Sequence, residues 1–229
     1  MDKTALIVGA GKGISASFAR RLAKDGYKVA LAARQPDKLA ALAEETGAAV
    51  YPCDAARSAG TAALFTRLDR DLGPLDLVLY NPSYRARGPF VELDPAEVET
   101  ALMVTAYGGF LVGQQAARRM VERGRGAILF TGASASVKGY PQSAPFAMGK
   151  FALRGLAQSM ARELAPSNVH VAHFVIDGGV RSAARVEPAD KPDSMLDPDA
   201  IAETMCFVLN QPRNAWTWEI ELRPWVEKF

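Results

Sequence analysis

Short apolar segments rich in β-branched residues alternate with longer helical segments along almost the whole 229-residue chain. The apolar segments predict seven strands, which are Ala5–Val8, Lys28–Ala32, Ala48–Tyr51, Leu77–Tyr80, Ala127–Thr131, Val169–Ile176 and Trp218–Leu222. The predicted helices are Ile14–Asp25, Pro36–Glu45, Thr61–Leu72, Pro95–Glu122 with a break near Thr105–Gly109, Ser143–Leu164 and Pro198–Leu209. Strands that are joined by helices must run parallel, with right-handed crossovers. The sequence therefore predicts an α/β fold, a doubly wound parallel sheet with helices on both faces, as one domain over residues 1–229.

Composition narrows the classes of function. Lys and Arg number 27 and Asp and Glu 25, so the net charge of +2 argues against a nucleic-acid partner. Cys53 and Cys206 form no metal-ligand spacing, and His170 and His173 point to opposite faces of a strand, so we predict no metal. No apolar run approaches the roughly 18–20 residues that span a bilayer, and Ala5–Val8 is too short for a signal peptide. We therefore expect a cytoplasmic protein with no membrane partner.

A glycine-rich turn, Gly9-Ala10-Gly11-Lys12-Gly13-Ile14, connects the first predicted strand to the first predicted helix. Glycines at such a turn let the backbone approach a pyrophosphate, whose charge meets the positive end of the helix. The position of the turn at the start of a strand–helix–strand unit makes the pattern specific. It predicts a dinucleotide site, and the alternative is a tight turn with no ligand.

The end of the second predicted strand indicates which dinucleotide binds. Ala32-Ala33-Arg34 stands where an NAD-binding protein would place an acidic residue for the ribose hydroxyls. The Arg34 guanidinium and the Lys12 ammonium suit a 2′-phosphate, so we predict NADP(H) as the cofactor. The alternative is that both are solvated surface cations.

These motifs resemble those of the short-chain dehydrogenase/reductase family, which has a Rossmann-like fold, and the resemblance covers essentially the whole chain. The family's Gly-x-x-x-Gly-Ile-Gly turn corresponds to Gly9, Gly13 and Ile14, with Ser15 in place of the last glycine. The resemblance implies further cofactor contacts by Asp54 at the adenine, by Asn81 after the fourth strand, and by Gly178 and Ser182 after the sixth. Of the family's Asn-Asn-Ala-Gly motif, which reads Tyr80-Asn81-Pro82-Ser83 in this chain, only Asn81 is retained.

The resemblance also locates four catalytic positions, most of which differ from the family pattern. The family's Tyr-x-x-x-Lys becomes Phe146-Ala147-Met148-Gly149-Lys150, so Lys150 is kept but the proton-donating phenol is lost. The resemblance implies that Lys150 also binds the nicotinamide ribose of the cofactor, and the alternative is a solvated helix lysine. The family's serine falls at Ala133 or Ser134, depending on register, and Ser134 is either an oxyanion donor or a turn residue. The asparagine of its proton relay corresponds to Thr105.

Other groups could replace the missing phenol. Tyr140 and Tyr84 lie in loops near the predicted site, where the alternative for each is a rim or packing role, and Lys150 or a bound water could donate directly. We therefore hypothesise an NADP(H)-dependent oxidoreductase that reduces a carbonyl or oxidises an alcohol with an atypical proton donor. The second hypothesis is a non-catalytic NADP(H)-binding protein that acts as a sensor or an assembly subunit.

Two further expectations concern the substrate and the assembly. The partner is predicted to be a small-molecule carbonyl or alcohol, and residues 181–197, rich in Pro, Asp, Ala and Ser, are expected to form a flexible substrate flap. The resemblance implies a homodimer or homotetramer built through the two long helices and the last strand.

Overall fold

A computed structural model describes residues 3–182 and 185–227, and within them one parallel sheet has seven strands. The strands are β1 (Thr4–Val8), β2 (Lys28–Ala33), β3 (Ala49–Pro52), β4 (Leu77–Tyr80), β5 (Gly126–Thr131), β6 (Val169–Ile176) and β7 (Glu219–Leu222). Each differs from its predicted bounds by at most a residue at either end. The predicted doubly wound parallel sheet is confirmed.

The order of the strands determines where a ligand can bind. They lie in the order β3-β2-β1-β4-β5-β6-β7, so the chain begins in the middle of the sheet and winds outward in both directions. Val8, at the end of β1, pairs with Ala32 of β2 on one side and Tyr80 of β4 on the other. A crevice opens at the carboxyl ends of β1 and β4, where the winding direction reverses, and ligands of such sheets bind in that crevice.

Helices cover both faces of the sheet. They are α1 (Ile14–Lys24), α2 (Ala40–Thr46), α3 (Ser58–Asp71), α4 (Pro95–Leu102), α5 (Gly108–Arg123), α6 (Ala144–Leu164) and α7 (Pro198–Leu209). Alternate residues of each strand face opposite sides: Ile7 packs in one core with Phe18 of α1, and Leu6 packs in the other with Phe65 of α3 and Leu153 of α6. Phe18 and Phe65 are fully buried, so truncating either to alanine is expected to cost about 3–5 kcal/mol.

The helix predicted over Pro95–Glu122 is interrupted, as the sequence indicated, but by a widened turn. Residues Met103–Tyr107 form a π-helical turn between α4 and α5. The Tyr80 hydroxyl donates a hydrogen bond to the Val104 carbonyl in this turn. The π turn presents Thr105, which is fully buried, toward α6.

Two other predicted elements differ in detail. The predicted helix Pro36–Glu45 begins as a 3-10 turn, Pro36–Leu39, before α2, and α3 starts at Ser58 rather than Thr61. In the predicted flap, Val180 pairs with Leu196 in a single bridge, whereas Ala183 and Ala184 lie outside the described residues. Within residues 3–182 and 185–227, no helix is both long enough and apolar enough to cross a membrane.

Candidate active site

The glycine turn after β1 is shaped by close contact with the loop after β4. Gly9 has φ +76°, and a Cβ added there would lie 2.6 Å from the Pro82 nitrogen. The Gly9 amide donates to the Ala32 carbonyl at 2.9 Å, which holds the turn against β2. A Cβ added at Gly11 or Gly13 would meet no heavy atom of the described residues within 4 Å apart from its chain neighbours, so this backbone faces open space. The turn thus offers exposed backbone at the mouth of the crevice.

Two side chains brace this turn. The Asn81 amide nitrogen donates to the Ser15 hydroxyl at 2.9 Å and to the Gly9 carbonyl at 3.3 Å. The Ser15 hydroxyl in turn donates to the Gly9 carbonyl at 3.2 Å. Ser15 therefore contributes a hydrogen bond that a glycine at its position would lack. Among the residues that the structure describes, no side chain caps the N-terminus of α1, whose positive end suits a bound anion.

The main cleft, of about 820 Å³, extends from this turn across the ends of β2 and β3. Lys12, Arg34 and Lys38 line it, and all three are exposed. Asp54 lines it at the end of β3, where its carboxylate accepts a hydrogen bond from the Ala56 amide at 3.1 Å. Sequence reasoning missed Lys38, because a lysine in a short helix after the second strand is indistinguishable from a solvated one.

A second cavity, of about 490 Å³, continues on the other side of the turn. It is lined by Gly13, Ile14, Ser182 and Arg185 and shares the Gly11–Lys12 segment with the main cleft. The open backbone, the uncapped helix end and the cations fit the pyrophosphate and 2′-phosphate of NADP(H).

Of the predicted cofactor residues, Gly178 and Lys150 line neither of these two cavities. A Cβ added at Gly178 would lie 2.9 Å from Cδ of Pro224. In this structure Gly178 therefore allows close packing of the segment after β6 against the chain beyond β7.

Lys150 is the most perturbed cation near the crevice. Its side chain is buried, with 3% exposure, and its Nζ donates to the Thr131 carbonyl at 2.6 Å. Burial, with a smaller effect of the nearby Arg85 charge, lowers the pKa of Lys150 to about 7. A Cβ at Gly149 would lie 2.9 Å from Cβ of Thr105, so glycine lets α6 approach the π turn closely. A lysine held this way can exchange a proton near neutral pH.

Phe146 lies one helical turn before Lys150, and its ring is buried. The Arg85 guanidinium carbon is 4.3 Å from the centroid of this ring, and Lys150 Nζ is 5.9 Å from it. Sequence reasoning missed Arg85, although the closely spaced Arg85 and Arg87 in the loop after β4 could have indicated a basic patch.

The other predicted catalytic side chains are spread around this region. Ser134 begins the 3-10 turn after β5 and is half-buried. The Thr105 hydroxyl accepts a hydrogen bond from the Tyr84 amide at 3.2 Å. The Tyr84 hydroxyl donates a hydrogen bond to Glu97 of α4 at 2.6 Å, and this hydrogen bond raises the pKa of Tyr84. Tyr140 is 43% exposed. The Tyr84 hydroxyl is thus engaged by Glu97, whereas Lys150 Nζ lies 5.9 Å from the centroid of the Phe146 ring.

A buried polar chain supports the turn that contains Ser134. The Ser136 hydroxyl lies 3.4 Å from Nε2 of His173, whose Nδ1 lies 3.0 Å from Glu219. Arg154 of α6 donates two hydrogen bonds to Glu219, at 2.6 and 2.7 Å. Burial lowers the pKa of His173 to about 4, so this histidine is neutral at physiological pH. Sequence reasoning considered His173 as a possible metal ligand, excluded that role, and did not foresee these hydrogen bonds. No group of three potential metal ligands occurs within the described part of the chain.

Comparisons with known proteins agree with this architecture. The sequence profile described as short chain dehydrogenase matches residues 3–191. An uncharacterized oxidoreductase of Staphylococcus aureus (strain N315) is 27% identical over 229 residues, covering 97% of each chain.

Solved structures extend the comparison. A short-chain dehydrogenase from Rhodopseudomonas palustris is 34% identical, with a TM-score of 0.85, and the match covers 98% of this chain and 100% of the other. A metagenomic short-chain oxidoreductase in complex with NADP is 27% identical, with a TM-score of 0.84 and 97% of each chain covered. The profile alone spans well over half of the sequence, and the chain therefore belongs to the short-chain dehydrogenase family of oxidoreductases.

Proposed function

We propose that the protein is an NADP(H)-dependent oxidoreductase that interconverts a carbonyl compound and an alcohol, with Lys150 as its proton donor. The observation that carries this proposal is the buried Lys150 ammonium, which lies one helical turn from Phe146 and donates to the Thr131 carbonyl at the carboxyl end of β5. The relative that contains NADP supports the choice of cofactor.

The cofactor contacts follow from the charges of the main cleft. The backbone of Gly11 and Gly13 and the N-terminus of α1 would hold the pyrophosphate, because these groups face open space. Arg34 would form the paired hydrogen bonds to the 2′-phosphate that a guanidinium allows, assisted by Lys12 or Lys38.

The residues around Phe146 would complete the reaction. A bound NADPH would supply the hydride for the carbonyl carbon and be oxidised to NADP⁺, and the electron pair of the C=O π bond would move to the oxygen. The oxygen then needs one proton, and the Phe146 ring has none to donate. The Lys150 ammonium can provide it, because the pKa of Lys150 is about 7. Lys150 regains a proton from solvent afterwards. In the oxidising direction, neutral Lys150 accepts the hydroxyl proton while the hydride returns to NADP⁺.

The proposal also covers assembly. Exposed aromatic and apolar side chains lie on α6 and in and after the π turn, at Tyr107, Phe110, Met148 and Phe151. We expect these surfaces to form the contacts of a homodimer or homotetramer.

Oxidation of NADPH, followed by its absorbance with a panel of aldehydes, ketones and quinones, tests the function. We expect turnover by the wild-type protein and faster turnover by Phe146→Tyr, because the new phenol adds a second proton donor. If NADPH binds but neither protein turns over, or if only Phe146→Tyr does, the chain is a cofactor-binding protein without catalysis, such as a sensor or an assembly subunit.

A further inference from the structure

Arg85 lies against Phe146, the charges of Arg87 and Arg185 act on Arg85, and the mechanism above uses none of these three arginines. Arg85 is stacked on the ring, 4.3 Å from its centroid. Partial burial lowers the pKa of Arg85, and the charges of Arg87 and Arg185 lower it further. Arg87 and Arg185 are therefore close enough to Arg85 for their charges to act on it, and the Arg85 charge in turn acts on the buried Lys150.

These arginines lack nearby counter-charges. Among the residues that the structure describes, none of the three has a carboxylate oxygen within 4.0 Å. Two other cations on this edge of the sheet do have partners: Lys138 pairs with Asp177 at 3.1 Å, and Arg181 pairs with Asp197. All three arginines are exposed, and their combined positive charge favours the binding of an anion beside Phe146.

The cofactor phosphates account for only part of this charge. The main cleft has its own cations in Lys12, Arg34 and Lys38. Arg185 lines the cavity at the N-terminus of α1 and can serve both regions. Arg85, in contrast, contacts the ring that precedes Lys150 by one turn, where the proposed reaction takes place.

We propose that Arg85, with Arg87 and Arg185 around it, binds a carboxylate of the substrate, so that the substrates are oxo acids and the corresponding hydroxy acids. A guanidinium forms two parallel hydrogen bonds with a carboxylate, and stacking on Phe146 orients its plane in advance. The ring at position 146 then serves as a platform for Arg85. This inference rests on the proposed function, because it assigns the substrate class of the same site.

Matched acid and ester substrates test the inference. Phenylglyoxylate and levulinate are compared with their methyl esters, which keep the carbonyl but lose the negative charge. A charge-assisted pair contributes about 1.5–3 kcal/mol, so we expect kcat/KM to be roughly tenfold or more higher for each acid than for its ester. Arg85→Gln should abolish this preference, mainly through a higher KM for the acid. The exposed Arg118 on α5 provides the control, and Arg118→Gln should keep the preference.

A binding measurement separates this inference from the proposed function. Phenylglyoxylate titrated calorimetrically into the NADP⁺-saturated protein should bind, and Arg85→Gln should weaken that binding roughly tenfold or more whether or not turnover occurs. Turnover of neutral carbonyls with no preference for the acids would overturn the carboxylate site and leave the oxidoreductase proposal standing. Failure of the wild-type complex to bind any of the oxo acids would also overturn it. Carboxylate binding without oxidation of NADPH would instead contradict the proposed reaction.

Discussion

The cofactor cleft and the region around Phe146 belong to one crevice but are built on different principles. The cleft consists of exposed backbone and exposed cations, each next to the end of a strand. Around Phe146, a buried lysine and a stacked arginine come from segments far apart in the chain. Phosphate binding needs only positive charge and backbone donors, whereas proton transfer needs one titratable group at one place. A substitution at position 146 can therefore change the chemistry without altering the cleft.

Replacing Lys150 tests this separation most severely. Lys150→Met should lower kcat for carbonyl reduction by about 10²–10⁴-fold, because a positioned acid is lost. The Kd for NADPH, measured by fluorescence titration, should change much less, since the cleft cations remain. Lys150→Arg keeps the charge but cannot release a proton near neutral pH, so it should also be slow. Equal kcat values in wild type and Lys150→Met would eliminate Lys150 as the donor.

Arg34 tests the cleft by itself. Arg34→Ala should weaken NADPH binding roughly tenfold to hundredfold, because a charge-assisted contact worth about 1.5–3 kcal/mol is lost. NADH, which has no 2′-phosphate, should bind nearly as before. Calorimetric titration of both coenzymes measures the difference, with Arg118→Ala as the matched control. Equal losses for the two coenzymes would show that Arg34 does not contact the 2′-phosphate.

The glycine turn separates fold stability from cofactor binding. Gly9→Ala should lower the free energy of unfolding by about 1–3 kcal/mol, because the new Cβ meets Pro82 at a positive φ. Gly11→Ala should leave the stability nearly unchanged, since its Cβ meets nothing, but should weaken NADPH binding by obstructing the open backbone. Urea denaturation without cofactor, together with NADPH titration, checks both variants. Similar stability of the two variants would argue against the Pro82 contact.

The pH dependence of stability reports on the region around Phe146. The pKa of Lys150 is about 7 in the folded chain and 10.5 as a free lysine, so between these values the unfolded state binds more protons. The free energy of unfolding of the cofactor-free protein should therefore rise with pH across this window, by at most about 1.4 kcal/mol per pH unit. Lys150→Met should lack this contribution. Parallel pH profiles of the two proteins in urea denaturation would show that the Lys150 pKa is not depressed.

Sequence reasoning worked well where the determining interactions are local. The strand bounds followed from short apolar segments, and the Gly9–Ile14 turn followed from its position between a strand and a helix. The break in the long helix was expected near Thr105–Gly109, but its π geometry depends on contacts with Tyr80 and α6. Lys38 and Arg85 were missed, because the residues next to a charged residue in the sequence do not show which surface of the fold its side chain will lie on.

By itself, the sequence determined the parallel α/β fold, the family and the glycine turn, because periodicity and turn chemistry act over a few residues. Only the tertiary structure decided that Lys150 is buried against the Thr131 carbonyl and that Arg85 covers Phe146. Burial and the encounter of distant charges depend on how β4, β5 and α6 pack together. These long-range contacts set the pKa of Lys150 and the charge of the pocket, and with them the chemistry open to this protein.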